Sequence, residues 1–171
     1  IGGISLGGWT AVEIASRGPE RVSKLWLCNA PGLWPGDPPL PDPFMMPPTA
    51  DVNRRLLFHD PEGAAATMIV REPERMNDEA RIAVMQSMAV LARLLWERPY
   101  SPDLPARLHR VRCPTLICWG DSDRLVPPAY AEAWHKLLPH AELHWLKDCG
   151  HLPMFEKEAE FVEVVQSFCL R

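Results

Sequence analysis

The sequence predicts an α/β protein: parallel strands with helices packed on them, interrupted by a long helical insertion. Three observations carry this. The apolar, glycine-bearing run Ile1-Gly2-Gly3-Ile4 turns at Ser5 straight into a helical pattern. Short apolar runs near 22–28, 113–119 and 142–146 alternate with helical patterns, as strands of a buried parallel sheet do. Between about 33 and 105 the alternation stops and helices alone follow one another.

In chain order, Trp9, Val12, Ala15 and Ser16 fall at helical spacing up to Arg17, where Gly18-Pro19 ends the helix. The run Val22–Cys28 reads as a strand, so the first thirty residues form a βαβ unit with a right-handed crossover. Prolines 31, 35, 38, 39, 41, 43, 47 and 48 prevent any regular element from running through the next stretch. Its Leu33, Trp34, Phe44, Met45 and Met46 are too apolar for a solvated linker, so it should pack over something. Helices are expected at about 51–58, at 61–71 with Asp60 as cap and Pro61 in the first turn, and at 78–97. The last of these carries Ile82, Met85, Met88, Ala89, Ala92 and Leu95 on one face. The strand Cys113–Trp119, ending at Gly120, leads into the loop 121–127. A helix over 128–138, a strand over 142–146 and a final helix bearing Phe161, Val164, Val165 and Phe168 complete the pattern.

Composition narrows the function classes. Hydrophobic content of 47% with 23% charged residues is ordinary for a globular chain. A net charge of −4 without a basic block gives no reason to expect nucleic acid. No apolar run approaches the roughly 20 residues of a membrane span. The five cysteines lack C-x-x-C spacing, and several lie in apolar patterns, which suggests buried thiols and a reducing, cytoplasmic setting. The chain has no initiator Met and opens inside a strand pattern, so it is expected to be a fragment.

Three polar residues stand just past predicted strand ends: Ser5, Asp123 and His151. Ligands of open parallel sheets bind at that edge. A serine hydroxyl needs a base to take its proton, and histidine titrates in the right range. The histidine in turn needs a carboxylate to fix its tautomer. Ser5 lies in Gly3-Ile4-Ser5-Leu6-Gly7, a sharp strand-to-helix turn in which Gly3 and Gly7 spare the crowded backbone a Cβ. The following helix start would stabilise an anion there. Asp121 competes with Asp123 for the acid role as a turn aspartate. His59, His109, His135, His140 and His144 lack metal-ligand spacing and read as surface or structural. Trp34, Met45, Met46, Met68, Met85, Met88 and Trp96 read first as packing residues, with some available to line an apolar pocket.

The elbow Gly3-Ile4-Ser5-Leu6-Gly7-Gly8, the strand and loop Pro114–Pro127, and Gly150-His151-Leu152-Pro153 before an acidic helix together resemble the α/β-hydrolase family. The Ser, Asp, His order is that family's order. The resemblance implies the C-terminal half of an α/β-hydrolase parallel sheet, about four strands with flanking helices. Residues 1–32 and 106–171 would form the core, with residues 33–105 as helical cap. It implies Ser5 as nucleophile, Asp123 as acid, His151 as base and the Leu6 N–H as one oxyanion donor. Leu125, Val126 and Leu152 are the expected substrate neighbours.

The implied activity is serine-esterase hydrolysis of a small apolar ester-like substrate through an acyl-enzyme, with no cofactor or metal. C–C hydrolysis of diketone-type substrates and a non-catalytic ligand-binding module are the alternatives. The second oxyanion donor and the first strands of the family sheet have no counterpart here. The 171 residues alone are therefore expected to fold poorly or to pair with the missing N-terminal half.

Overall fold

Parallel pairing sets the architecture. In a computed structural model, which describes residues 1–37, 39–42, 46, 49–95 and 98–171, four strands lie side by side in chain order. They are β1 (Gly2–Ile4), β2 (Leu25–Cys28), β3 (Thr115–Gly120) and β4 (Glu142–Leu146). Ile4 stands opposite Cys28, so β1 and β2 end level, while β3 runs two residues past Cys118, the partner of Cys28. This is the parallel sheet with flanking helices that the sequence predicts. Strand β2 starts three residues later than the apolar run and β3 two later, at the point where ladder pairing begins.

Side-chain alternation divides the core between two faces. Leu25, Leu27, Ile117 and Trp119 point to one face, under α1 (Leu6–Arg17) and α6 (Ala129–Leu137), where Val12, Tyr130 and Trp134 are buried with them. Cys28, Leu116 and Cys118 point to the other, against Phe161 and Phe168 of α8 (Glu158–Leu170). Trp26 adds an edge-on contact to Phe161 at 6.1 Å between ring centroids. The final helical stretch is split, a four-residue α7 (Pro153–Glu156) preceding α8.

The stretch between β2 and β3 holds α2 (Ala50–Leu57), α3 (Ala64–Ile69), α4 (Asp78–Leu95) and a short α5 (Leu104–Arg107). Its base is closed by a bridge from Gly32 to Tyr100 and by the Ser101 N–H donating to the Gly32 carbonyl at 3.0 Å. Thr49 caps α2 through its hydroxyl. The expected cap of α3 differs: Gly63 occupies that position, and Asp60 instead accepts the Glu62 N–H within the preceding turn. Short polar side chains often stabilise a turn in this way and so delay a helix. Helix α4 also departs from expectation, since none of its residues is buried and Ile82 and Met85 are 54% and 71% exposed. Phe44, Met45, Trp96 and the end of the 78–97 helix lie outside the described residues. Among the described residues no helix is long and apolar enough to cross a membrane.

Candidate active site

Ser5 is held in an unusual backbone state. Its φ of 54° and ψ of −127° put a non-glycine residue where side chains rarely go, at a cost of about 1–3 kcal/mol. The strain is fixed from both sides: Ser5 N–H donates to the Cys28 carbonyl at 2.8 Å, while its own carbonyl accepts from Trp9. A Cβ on Gly3 would run into the Gly7 backbone, so that glycine is required. Gly7 is not required on this ground, because a Cβ there meets nothing within 4 Å. The second sterically required glycine is Gly8, whose Cβ would sit 2.8 Å from Ala30 Cβ and 2.9 Å from the Gly3 carbonyl oxygen. The turn therefore presses on strand β2 one residue later than the motif suggests. Leu6 opens α1, so its N–H is one of the first-turn donors a helix leaves unpaired.

At the C-terminal edge of the sheet, His151 Nδ1 lies 2.8 Å from Asp123 Oδ2. Both are almost fully buried, at 3% and 2% exposure. The other carboxylate oxygen, Oδ1, accepts the N–H groups of Leu125 and Val126 at 2.9 Å each, so both oxygens of this buried acid are satisfied. Trp119 Nε1 donates to the Val126 carbonyl and ties the same loop to β3.

Asp121, the competing acid, is exposed and turned away. It accepts from Ser122 Oγ at 2.8 Å and, at 3.4 Å, from the Cys149 N–H. Partial burial pushes its carboxyl up, but hydrogen bonds from Ser122, Asp148 and Cys149, with His59 nearby, outweigh this and leave it below the usual range.

Sequence reasoning missed Asn29. It follows β2 directly, has φ 48° and is fully buried. Its Nδ2 donates to the carbonyls of Gly150 and His151 at 3.1 and 2.9 Å, and its Oδ1 accepts the Gly120 N–H at 3.0 Å. Because Ile4 pairs with Cys28, Asn29 is also the lateral neighbour of Ser5. Ser5 and the His151 backbone thus both neighbour Asn29. Among the described residues no hydrogen bond joins Ser5 to the imidazole. An Asn directly after an apolar strand is the only sequence trace of it, and it does not mark the partners.

A cavity of about 870 Å³ opens at Ser5. Leu6, Leu125 and Val126 line it, as do Leu56 and Leu57 from α2 and Met88, Leu91 and Leu95 from α4. Leu152 lies outside the lining, just before α7. Asp42 and Arg98 are the charged members of an otherwise mostly apolar wall. Of the methionines and tryptophans, Trp34 and Met88 reach the cavity, whereas Met68 and Met85 do not. Among the described residues no cluster of three or more His, Cys, Asp or Glu side chains could hold a metal.

A family model described as the alpha/beta hydrolase family matches residues 1–164. Lipase 3 of Moraxella sp. (strain TA144) is 25% identical over 170 residues, spanning 91% of this chain and 51% of that protein. The 2-hydroxy-6-oxononadienedioate/2-hydroxy-6-oxononatrienedioate hydrolase of Escherichia coli (strain K12) is 31% identical over 182 residues, spanning 99% and 61%. The solved 2-hydroxy-6-oxo-6-phenylhexa-2,4-dienoate hydrolase from Rhodococcus sp. strain RHA1 superposes with a TM-score of 0.73 at 25% identity, over all of this chain and 63% of that one. The chain therefore spans roughly half to three fifths of the length of these relatives.

Proposed function

The chain belongs to the α/β-hydrolase family, and from that premise we propose that it carries the nucleophile, acid and base of a serine hydrolase acting on a lipophilic carboxylic ester. The observation that carries the reading is the 2.8 Å contact between His151 and Asp123 on the sheet edge where Ser5 opens into an apolar cavity.

In this reading Asp123 accepts a hydrogen bond from His151 Nδ1–H, which leaves Nε2 free to act as base. Nε2 takes the Ser5 proton as Ser5 Oγ attacks the ester carbonyl. The Leu6 N–H and the positive end of α1 stabilise the resulting oxyanion. His151 then returns the proton to the departing alcohol. Water, activated by the same imidazole, hydrolyses the acyl-Ser5 ester. A bond from Nε2 to the serine commonly tightens only with substrate in place. The 33–105 stretch acts as the cap in this scheme, roofing the acyl group.

C–C bond hydrolysis is the second reading, favoured by the names of the Escherichia coli and Rhodococcus relatives. The mostly apolar lining favours a neutral ester over a dicarboxylate. The deciding experiment treats the full-length protein with a fluorophosphonate probe and assays p-nitrophenyl esters beside a 2-hydroxy-6-oxo dienoate. Labelling at Ser5, lost in Ser5→Ala and His151→Ala, with ester turnover exceeding dienoate cleavage, is expected. Ligand binding with neither labelling nor turnover would instead identify a non-catalytic module.

A further inference from the structure

We propose that Glu156 is a positioning residue that holds the histidine-bearing loop and the C-terminal end of α2 as one unit, so that His151 keeps its aim only while that segment is seated. The proposal rests on the serine-hydrolase reading for its catalytic consequence. The clamp itself is a matter of geometry.

One carboxylate spans two stretches of chain some ninety residues apart. Glu156 Oε2 accepts the N–H of Gly150, the residue before His151, at 2.7 Å. Its Oε1 accepts the N–H of His59 at 2.7 Å and that of Asp60 at 3.4 Å. Short bonds to an ionised acceptor are the strong kind, about twice a neutral pair. The two stretches also touch directly. His151 N–H donates to the Leu57 carbonyl at 2.8 Å, and a Cβ on Gly150 would sit 2.6 Å from that same oxygen.

The acid loop is tied to the same segment. Arg124 Nη1 donates to the carbonyls of Arg55 and Phe58 at 3.0 Å, and the His59 ring contacts Ser122 Oγ at 2.8 Å. Leu56 and Leu57 face the cavity at the same time. Substrate pressing on Leu57 therefore acts on the residue whose own carbonyl holds His151. Glu156 keeps the two sides from sliding apart.

Glutamine is the discriminating substitution. It preserves shape, but its NH₂ would face either the Gly150 N–H or the His59 and Asp60 N–H pair, so one side becomes a donor–donor conflict. In the full-length chain, Glu156→Gln is expected to lower kcat per fluorophosphonate-titrated site by about 10- to 100-fold, as a misplaced catalytic group does. KM for a short p-nitrophenyl ester should stay within about twofold. Amide exchange at Gly150 and His59 should accelerate, and the exposed control Glu158→Gln should change neither reading.

Wild-type kcat per titrated site, with activity lost only in proportion to folded protein, would make Glu156 a structural brace and overturn the proposal. Unchanged exchange at Gly150 and His59 would overturn the clamp. If Glu156→Gln does not fold, Glu156→Asp, too short to reach both donors, must show the same kcat loss; wild-type kcat there overturns it. Failure of the unsubstituted protein to label at Ser5 would sink the hydrolase reading instead, and exchange would still decide the clamp.

Discussion

Replacing Asn29 by Ala removes a partner from three buried backbone groups at once: the Gly120 N–H, the His151 carbonyl and the Gly150 carbonyl, which keeps only the weak Cys149 thiol donor. A buried group left without a partner costs about 1–3 kcal/mol, and Ala is also poorer than Asn at a φ of 48°. Asn29→Ala is therefore expected to lower the urea midpoint and, through the freed His151 backbone, kcat per active site. Equilibrium unfolding and site titration check both. The glycines of the elbow make a sharper test. Gly8→Ala must push Ala30 or the Gly3 carbonyl aside, for about 1–3 kcal/mol of overpacking. Gly7→Ala meets open space inside a helix and should stabilise by up to about 1 kcal/mol. Thermal unfolding of the two variants should move Tm in opposite directions. Ser5, Asp123 and His151 could be proposed from the sequence because each sits in a short local motif at a strand end. Asn29 and Glu156 were not, because the Asn29 partners and the His59 partner of Glu156 lie about 90 or more residues away and nothing local marks the pairing.

At the scale of elements, the strands were legible from their apolar runs, and only their first residues shifted to where ladder bonds begin. The helices over the cavity were less so. Helical spacing in α4 reports an apolar stripe, but it cannot tell a stripe buried in a core from one that walls a cavity or faces outward. Met88, Leu91 and Leu95 wall the cavity, while Ile82 and Met85 do not reach it. Since no α4 side chain is buried, changing one should alter substrate preference more than stability. For the wild type, kcat/KM over a p-nitrophenyl acyl series should rise by up to about fourfold per added CH₂ until the cavity fills, from about 0.8 kcal/mol per buried methylene. Leu91→Arg should flatten that rise with Tm nearly unchanged. A parallel fall at every chain length would count against the cavity as the acyl site.

Across the whole molecule, the thiols record how dry the α8 side of the sheet is. Burial pushes the Cys149 thiol up to about 12, helped by Glu156 and Cys118, and burial with the adjacent Cys118 raises Cys28 as well. A thiol that stays protonated in the fold but ionises near 9 when unfolded adds stability below pH 9 and loses it progressively from there toward about 12. Alkaline titration should thus destabilise the protein over that window, and Cys149→Ser or Cys149→Ala should shrink the pH dependence. Iodoacetamide at pH 8 should modify the exposed Cys169 first and leave Cys28, Cys118 and Cys149 silent until denaturant is added.

The Leu57 carbonyl that receives the His151 N–H bears on how such proteins can be re-engineered. The roof over Ser5 is no detachable lid, since one of its peptide groups serves as scaffolding for the imidazole's own main chain. A graft that trades this roof for a foreign one must restore an acceptor at that spot. A chimera that only matches the cavity's shape would leave the His151 N–H without its acceptor and, on the proposed reading, let the base come adrift.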